Sequence, residues 1–144
     1  MNPNESIVIC FQRYFDFKGR ASRPEFWWFT AFTMLVGAIM LHDIFYSSLI
    51  VEIIAAIIGL ALMVPTASVT VRRLHDIKKS GYWAVPFFLF PFFPEALLYK
   101  FNPLIPLVLA GLILVYLILL IYWLTLKGNE TENDFGHPPL LESR

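Results

Sequence analysis

The segment from Leu104 to Leu126 contains no charged residue, and its length strongly constrains how this chain can fold. A helix rises ~1.5 Å per residue, so about 20 apolar residues cross a hydrocarbon core ~30 Å thick. Residues 26–45, 49–71 and 82–99 approach this length as well. Among the 144 residues, 58% are apolar and only 15% are charged. We therefore predict an all-α membrane protein, with one integral membrane domain over residues 1–144 and about four transmembrane helices.

The third of these segments, residues 82–99, is the least regular. It contains Pro86, Pro91 and Pro94, and Glu95 interrupts its apolar run. Proline removes a backbone donor and clashes with the preceding helical turn, so the freed carbonyl groups need other partners inside a bilayer. We favour a proline-kinked span. A re-entrant segment that does not cross the bilayer is the alternative.

The basic residues indicate how the spans are oriented. Cytoplasmic loops of membrane proteins are enriched in Lys and Arg. With four spans and a cytoplasmic start, the loops and tail on the inner side hold ten of the eleven basic residues. Both termini, including the tail 127–144, are then cytoplasmic. A re-entrant third segment would move only two of these ten, Lys127 and Arg144, to the outer side. The inner ten are Arg13, Lys18, Arg20, Arg23, Arg72, Arg73, Lys78, Lys79, Lys127 and Arg144, and Lys100 is the outer one.

A short amphipathic helix is predicted before the first span. Ile7, Phe11, Tyr14 and Phe15 recur at helical spacing, and Asn4 is a plausible N-cap. Such a helix either lies on the inner leaflet or packs against the cytoplasmic ends of the bundle. Both arrangements fit the pattern.

Three polar stretches fall on the predicted cytoplasmic side, at residues 15–28, 71–83 and 127–139. Together they resemble the signatures of the YhaH-like family, a domain-of-unknown-function family (number 805) of small bacterial inner-membrane proteins. Members carry G-R-x-x-R-x-E-[FY]-W before the first span, then R-R-L-H-D followed by S-G-W-W, and a tail element like N-x-[YF]-G-x-x-P. The matching residues are Gly19, Arg20, Arg23, Glu25, Phe26 and Trp27; Arg72 to Asp76; Ser80 to Trp83; and Asn133, Phe135, Gly136 and Pro139.

The resemblance covers nearly the whole chain and implies a multi-pass protein of the bacterial inner membrane. The chain departs from the pattern at Lys78, where a glycine is usual, and at Tyr82, where tryptophan is common. The resemblance implies no particular biochemical activity.

The signature residues suggest a polar cluster at the inner ends of the helices. Arginines at span boundaries anchor the topology and contact anionic lipid headgroups. Glu25 and Asp76 are expected to pair with some of them, because an unpaired carboxylate at the membrane boundary is costly. Both roles can hold together. The candidate residues are Arg20, Arg23, Glu25, Arg72, Arg73, His75, Asp76, Ser80, Gly81, Asn133 and Gly136.

Catalytic chemistry finds little support in the sequence. His75 and Asp76 alone do not make a metal site, and His42 lies on the opposite side of the predicted membrane. Ser22 and Ser80 lack the glycines of a nucleophile elbow. The single cysteine, Cys10, excludes an internal disulfide. We therefore predict no metal and no cofactor, and a membrane-embedded enzyme is the least favoured of the functional classes.

Two functional hypotheses follow. The first is an interaction or scaffold protein, whose cytoplasmic polar face serves a protein partner or anionic headgroups of the inner leaflet. The second is a small transporter or channel component acting as a homo-oligomer, suggested by the broken third segment and by Glu52 and Glu95. Neither hypothesis calls for a nucleic-acid partner.

Overall fold

The computed structural model describes residues 1–44, 48–90 and 104–139. Within these ranges the chain is helical and contains no strand, which confirms the predicted all-α class. One isolated bridge pairs Asn133 with Gly136. In chain order the elements are α1 (Pro3–Gln12), α2 (Arg23–Ile44), α3 (Leu49–Asp76), a 3-10 turn (Gly81–Ala84), α4 (Val85–Leu89) and α5 (Leu104–Thr125).

Three long helices occupy the predicted first, second and fourth spans. In the described part of the chain, α3 and α5 are each long and apolar enough to cross a membrane. α3 continues beyond the predicted end at Val71, because the R-R-L-H-D motif is itself helical and does not form a loop. Arg73 and His75 lie in its last turn, where cationic side chains favour a helix C-terminus.

The predicted third span begins with the 3-10 turn and the short helix α4. Pro86 lies in the first turn of α4, where a missing N–H removes no helical hydrogen bond. Pro91, Pro94 and Glu95 lie outside the described residues. The kink therefore stays a prediction.

Helix α1 begins two residues earlier than the sequence pattern suggested. Asn2, and not Asn4, is its N-cap, because Pro3 fits the first helical position and Glu5 accepts a hydrogen bond from the Asn2 N–H (3.0 Å). Phe11 packs edge-on against Phe29 of α2, with ring centroids 5.6 Å apart. α1 thus packs against the bundle, as one of the two predicted arrangements requires.

Burial is concentrated at one end of the bundle. Along α3 the side chains from Leu49 to Leu60 are mostly exposed, and full burial begins at Pro65. In α5 the buried residues, Leu120 and Leu124, lie near the C-terminus. The packed core therefore lies where the start of α2 meets the ends of α3 and α5. Its apolar members are Cys10, Ala21, Phe26, Phe29, Val69, Leu74, Ala84, Leu120 and Leu124.

Pro65 interrupts the hydrogen bonding of α3, and the segment after α1 compensates for it. Proline has no N–H to donate to the carbonyl four residues earlier, which is that of Ala61. The Tyr14 hydroxyl donates to this carbonyl instead. One turn further, the Ser68 hydroxyl lies 2.7 Å from the Asp16 carbonyl oxygen. The chain after α1 is thereby fixed along the middle of α3.

Candidate functional site

A buried ion triad forms the centre of the packed end. Asp76, the last residue of α3, lies between two arginines. Arg20 donates to its Oδ1 through Nε (2.8 Å) and Nη2 (2.7 Å), and Arg73 Nη1 pairs with Oδ2. All three side chains are fully buried. Charge-assisted contacts of this kind are among the stronger hydrogen bonds in proteins, and losing one partner leaves an uncompensated buried charge.

A second ion pair joins α2 and α3 beside the triad. Arg72 Nη1 pairs with Glu25 Oε1, and the Arg72 side chain is fully buried. Arg72 Nε lies 3.5 Å from the Ser68 hydroxyl, while Nη2 has no hydrogen-bond partner among the described residues. We call Arg20, Glu25, Arg72, Arg73 and Asp76 the ionic cluster.

The Cys10 thiol borders the ionic cluster. Its Sγ lies 4.0 Å from Glu25 Oε1. Burial, followed by the negative charge of Glu25, raises the pKa of Cys10 to about 12. The thiol is therefore a neutral packing group.

Helix termini explain why these side chains meet. Glu25 lies in the first turn of α2, and Arg72 and Arg73 lie near the end of α3. Carboxylates are favoured at helix N-termini and cations at C-termini, so Glu25, Arg72 and Arg73 suit the helix ends that carry them. Asp76 does not, because it is a carboxylate at a C-terminus, and its charge is compensated by Arg20 and Arg73 instead. The backbone adds a direct link, because the Ala21 N–H donates to the Arg72 carbonyl (3.1 Å).

The segment after α5, residues 126–139, folds back over the ionic cluster, and we call it the tail loop. Arg20 Nη1 donates to the carbonyls of Thr131 (2.7 Å) and Gly136 (3.3 Å), and Nη2 donates to that of Asn129. In return, the Asn129 N–H donates to the Asp76 carbonyl (3.0 Å). One arginine therefore binds the end of α3 and the tail loop simultaneously.

Two further signature arginines hold the beginning of the tail loop. Arg23 Nε donates to the Leu126 carbonyl (2.9 Å), and Arg73 Nη2 reaches the same oxygen. Arg73 Nε donates to the Leu124 carbonyl (3.2 Å). Carbonyl groups at a helix C-terminus lack intrahelical donors, so these guanidinium groups cap α5.

His75 connects the loop before α2 to the tail loop. Its ring stacks on Phe135, with centroids 3.9 Å apart and planes 6° apart. Nδ1 lies 3.1 Å from the Gly19 carbonyl oxygen, and Asn133 Nδ2 donates to the His75 carbonyl (3.0 Å). His75 is thus positioned by packing and hydrogen bonds. Three or more possible metal ligands do not group anywhere in the described ranges.

The turn after α3 uses the remaining signature residues. Lys78 has a φ of 59°, a left-handed conformation that favours glycine. Ser80 accepts a hydrogen bond from the Tyr82 N–H (3.4 Å). A Cβ on Gly81 would collide with Val71 and approach His75 Nε2 to 3.3 Å, so this position requires glycine for space.

The structure therefore brings the eleven sequence-predicted residues to one end of the bundle, with Ser80 and Gly81 in the adjoining turn. Sequence reasoning missed the main-chain carbonyls that the arginines bind, and it missed Gly128, which lies against the Asp76 carboxylate. The only available signal was the lysine–glycine pair that follows α5. Whether the cluster carries a function beyond holding the helices together stays a prediction.

Comparison with known proteins places the chain in a family. Residues 14–137 match the model described as "Protein of unknown function (DUF805)". Inner membrane protein YhaI of Escherichia coli K12 is 30% identical over 128 residues, which cover 89% of each chain. Inner membrane protein YhaH of the same strain is 33% identical over 135 residues, covering 91% of this chain and 93% of the relative.

A shorter match links 51% of the chain to 49% of the uncharacterized protein YiiR of Escherichia coli K12, at 40% identity over 78 residues. No solved structure matches. The family match spans the ionic cluster, the turn after α3 and most of the tail loop. The chain accordingly belongs to the DUF805 family and is an inner-membrane protein.

Proposed function

We propose that this chain is a non-enzymatic interaction protein of the inner membrane. In this proposal the ionic cluster and tail loop form a rigid cytoplasmic platform. The platform presents a polar face to a protein partner and contacts anionic headgroups at its rim.

The observation that carries the proposal is that most polar groups of the ionic cluster are used internally. Its carboxylates bind arginines, and Arg20 and Arg73 also bind main-chain carbonyls of the tail loop and of the end of α5, while Arg72 Nη2 has no hydrogen-bond partner among the described residues. Catalytic groups need access to a substrate, whereas these side chains are buried. A closed arrangement of this kind supports a structural role for the signature residues and leaves recognition to the surface they support.

The meeting of the three polar stretches also supports four crossings. The start of α2, the end of α3 and the end of α5 lie together at the ionic cluster, so they share one side of the membrane. If α5 spans, its start lies on the opposite side. The chain between Asp76 and Leu104 must then cross once, which favours a kinked third span over a re-entrant one. The positive-inside bias makes the shared side cytoplasmic.

The exposed surface of the platform has two parts. The tail loop carries Glu130, Glu132 and Asp134, all exposed, and Lys127 lowers the pKa of Glu130 by a hydrogen bond and by its charge. Glu132 also lies 3.4 Å from His137 Nδ1. Exposed pairs of this kind contribute little to stability, so a partner can displace them at small cost. Nearer the predicted membrane, Tyr82 is 84% exposed and follows the exposed Lys78. Aromatic and basic residues together suit a headgroup region.

Site-specific photo-crosslinking in native membranes tests this proposal. A crosslinking amino acid replaces Glu132 on the tail loop, Tyr82 in the turn, or Leu112 on the exposed apolar face of α5. We expect Glu132 to capture a defined protein and Tyr82 to capture anionic phospholipid. Leu112, the control, should capture lipid without headgroup preference. Capture of neither a protein nor an anionic lipid at the first two positions would contradict the proposal.

One structural feature, a cavity, bears on the transporter alternative. A cavity of about 270 Å³ opens between α2 and α3. Its lining is mostly apolar, and the Thr66 hydroxyl in it donates to the Leu62 carbonyl (2.7 Å). An ion pathway needs polar groups that replace hydration, so the cavity does not favour transport. Flux through vesicles containing the purified protein would reverse this preference. Its lining residues are Thr33, Val36, Gly37, Met40, Gly59, Leu62, Met63, Thr66 and Phe88.

A further inference from the structure

The N-terminal segment, consisting of α1 and the turn after it, has an apolar surface that the bundle does not cover. We propose that this segment is a lipid anchor, which inserts Val8, Phe11 and Phe15 among the acyl chains of the leaflet on the side of the ionic cluster. Arg13 and Lys18 then lie at the level of the lipid phosphates. This role is separate from the partner-binding platform proposed above.

The exposed residues are large and lie next to a helix that is already packed. α1 buries Ser6 and Cys10 against the bundle, so its inward side is satisfied. Phe15 is nevertheless 77% exposed, Val8 52% and Phe11 42%. An apolar surface on the outward side of a packed helix indicates contact with a lipid or a protein.

The position of Tyr14 favours lipid. α3 has 28 residues and is therefore ~42 Å long, about 12 Å longer than the ~30 Å hydrocarbon core. Any ~30 Å stretch of such a helix includes its middle. Ala61 lies in this middle, so its carbonyl is at hydrocarbon depth wherever α3 is placed along the membrane normal. The Tyr14 hydroxyl binds that carbonyl and must reach the same depth.

Phe15 and the nearby charges agree with this depth. The Phe15 ring lies 4.6 Å from that of Tyr14, centroid to centroid, so it accompanies Tyr14 toward the hydrocarbon. Arg13 and Lys18 are exposed on either side of these aromatics, and long basic side chains reach from the acyl region to the phosphates. Asp16, the acidic residue nearby, accepts a hydrogen bond from the Lys18 N–H (3.0 Å). Glu5, the other acidic residue of the segment, lies at the far end of α1, where it accepts a hydrogen bond from the Asn2 N–H. The basic pair beside the exposed aromatics therefore fits an anionic leaflet.

Spin-label accessibility measures this insertion directly. The full chain is reconstituted in vesicles of phosphatidylethanolamine and phosphatidylglycerol after labelling of F15C, V8C or the control E132C. Cys10 is fully buried, so the wild-type chain should take up little label. We expect oxygen to relax the labels of F15C and V8C several-fold more strongly than a water-soluble nickel chelate does. The E132C label should show the opposite preference.

Two results would overturn the inference. If both F15C and V8C respond to the nickel chelate as strongly as E132C, the segment faces water. If both labels are shielded from both reagents and show dipolar broadening, a second copy of the chain covers the surface. Because two variants at exposed positions are measured, misfolding of one still leaves the other as a test. Neither result bears on crosslinking at Glu132 or Tyr82, so the two proposals fail separately.

Discussion

At the scale of single residues, Gly128 shows how closely the tail loop approaches the ionic cluster. A Cβ built on Gly128 would overlap both Asp76 carboxylate oxygens. We expect Gly128→Ala to displace this carboxylate from Arg20 or Arg73. The free energy of unfolding in detergent should fall by about 1–3 kcal/mol from overpacking, and by more if the buried pair breaks. Gly111→Ala is the matched control, because a Cβ there meets nothing within 4 Å. Equal stabilities of the two variants would contradict this placement.

Cys10 offers a pH-dependent test at the same scale. Its pKa is raised from 9.0 to about 12, so the folded protein holds roughly a thousandth of the thiolate of a free cysteine near pH 8. We expect iodoacetamide to modify Cys10 very slowly in mild detergent and rapidly after denaturation. The raised pKa stabilises the fold fully below the unfolded pKa near 9 and loses this contribution as pH rises toward 12. Fast alkylation of the folded chain at neutral pH would contradict the buried position.

The side chains of the cluster were predictable, and their main-chain partners were not. Arg20, Arg73 and Asp76 stand out in the sequence because charged residues next to apolar spans need partners. Their binding to the carbonyls of Leu124, Leu126 and other tail residues depends on backbone geometry, which a sequence does not encode in residue types. Lys78 illustrates the same limit, since a lysine does not by itself indicate the left-handed backbone that it adopts here.

At the scale of elements, the contact between Tyr14 and Ala61 couples α1 to the proline in α3. The Ala61 carbonyl, which Pro65 leaves without its helical donor, accepts a hydrogen bond from the Tyr14 hydroxyl. We expect Tyr14→Phe to lower the free energy of unfolding by about 1–3 kcal/mol, because a carbonyl that acyl chains would shield from water is then left unsatisfied. Tyr122→Phe is the control, since that side chain is exposed.

A double-mutant cycle separates this hydrogen bond from loss of packing. In a Pro65→Ala background, residue 65 regains an N–H that can bind the Ala61 carbonyl. Tyr14→Phe should then cost much less than it does beside proline. The same cost in both backgrounds would mean that Tyr14 acts through its ring contacts alone.

The helix bounds show what periodicity and composition can predict. The apolar runs gave the start of α3 at Leu49 and the whole of α5, because membrane spans are defined by length and hydropathy. The apolar runs predicted an end of α3 that is too early, because the charged composition of the motif after Val71 predicts a loop. In the structure these charges are buried against α2 and the tail loop, and tertiary pairing extends the helix. The short helix α4 could not be predicted without knowing that the chain turns at Gly81.

At the scale of the whole molecule, the buried residues of the described ranges are concentrated at one end. α2, α3 and α5 share a core near the ionic cluster, while the opposite half of α3 is exposed. In water such a half-packed bundle would be unstable, but lipid acyl chains solvate apolar side chains as well as a core does. The ionic cluster therefore acts as the point that fixes the helices relative to one another. Hydropathy alone does not reveal this asymmetry, because both halves of the spans are apolar.

Because three helix ends meet at the ionic cluster, the structure predicts which parts of the chain lie on the same side of the membrane. Fusions of a cytoplasmic fluorescent reporter and a periplasmic phosphatase follow residues 45, 76, 100 and 139. Four crossings with an inner start predict fluorescence after 76 and 139, and phosphatase activity after 45 and 100. The contacts of Arg20 with Asp76 and Gly136 require that positions 76 and 139 behave alike, whatever the absolute orientation. Opposite behaviour of these two positions would mean that the ionic cluster and the tail loop do not meet in the membrane. The four-crossing arrangement would then have to be abandoned.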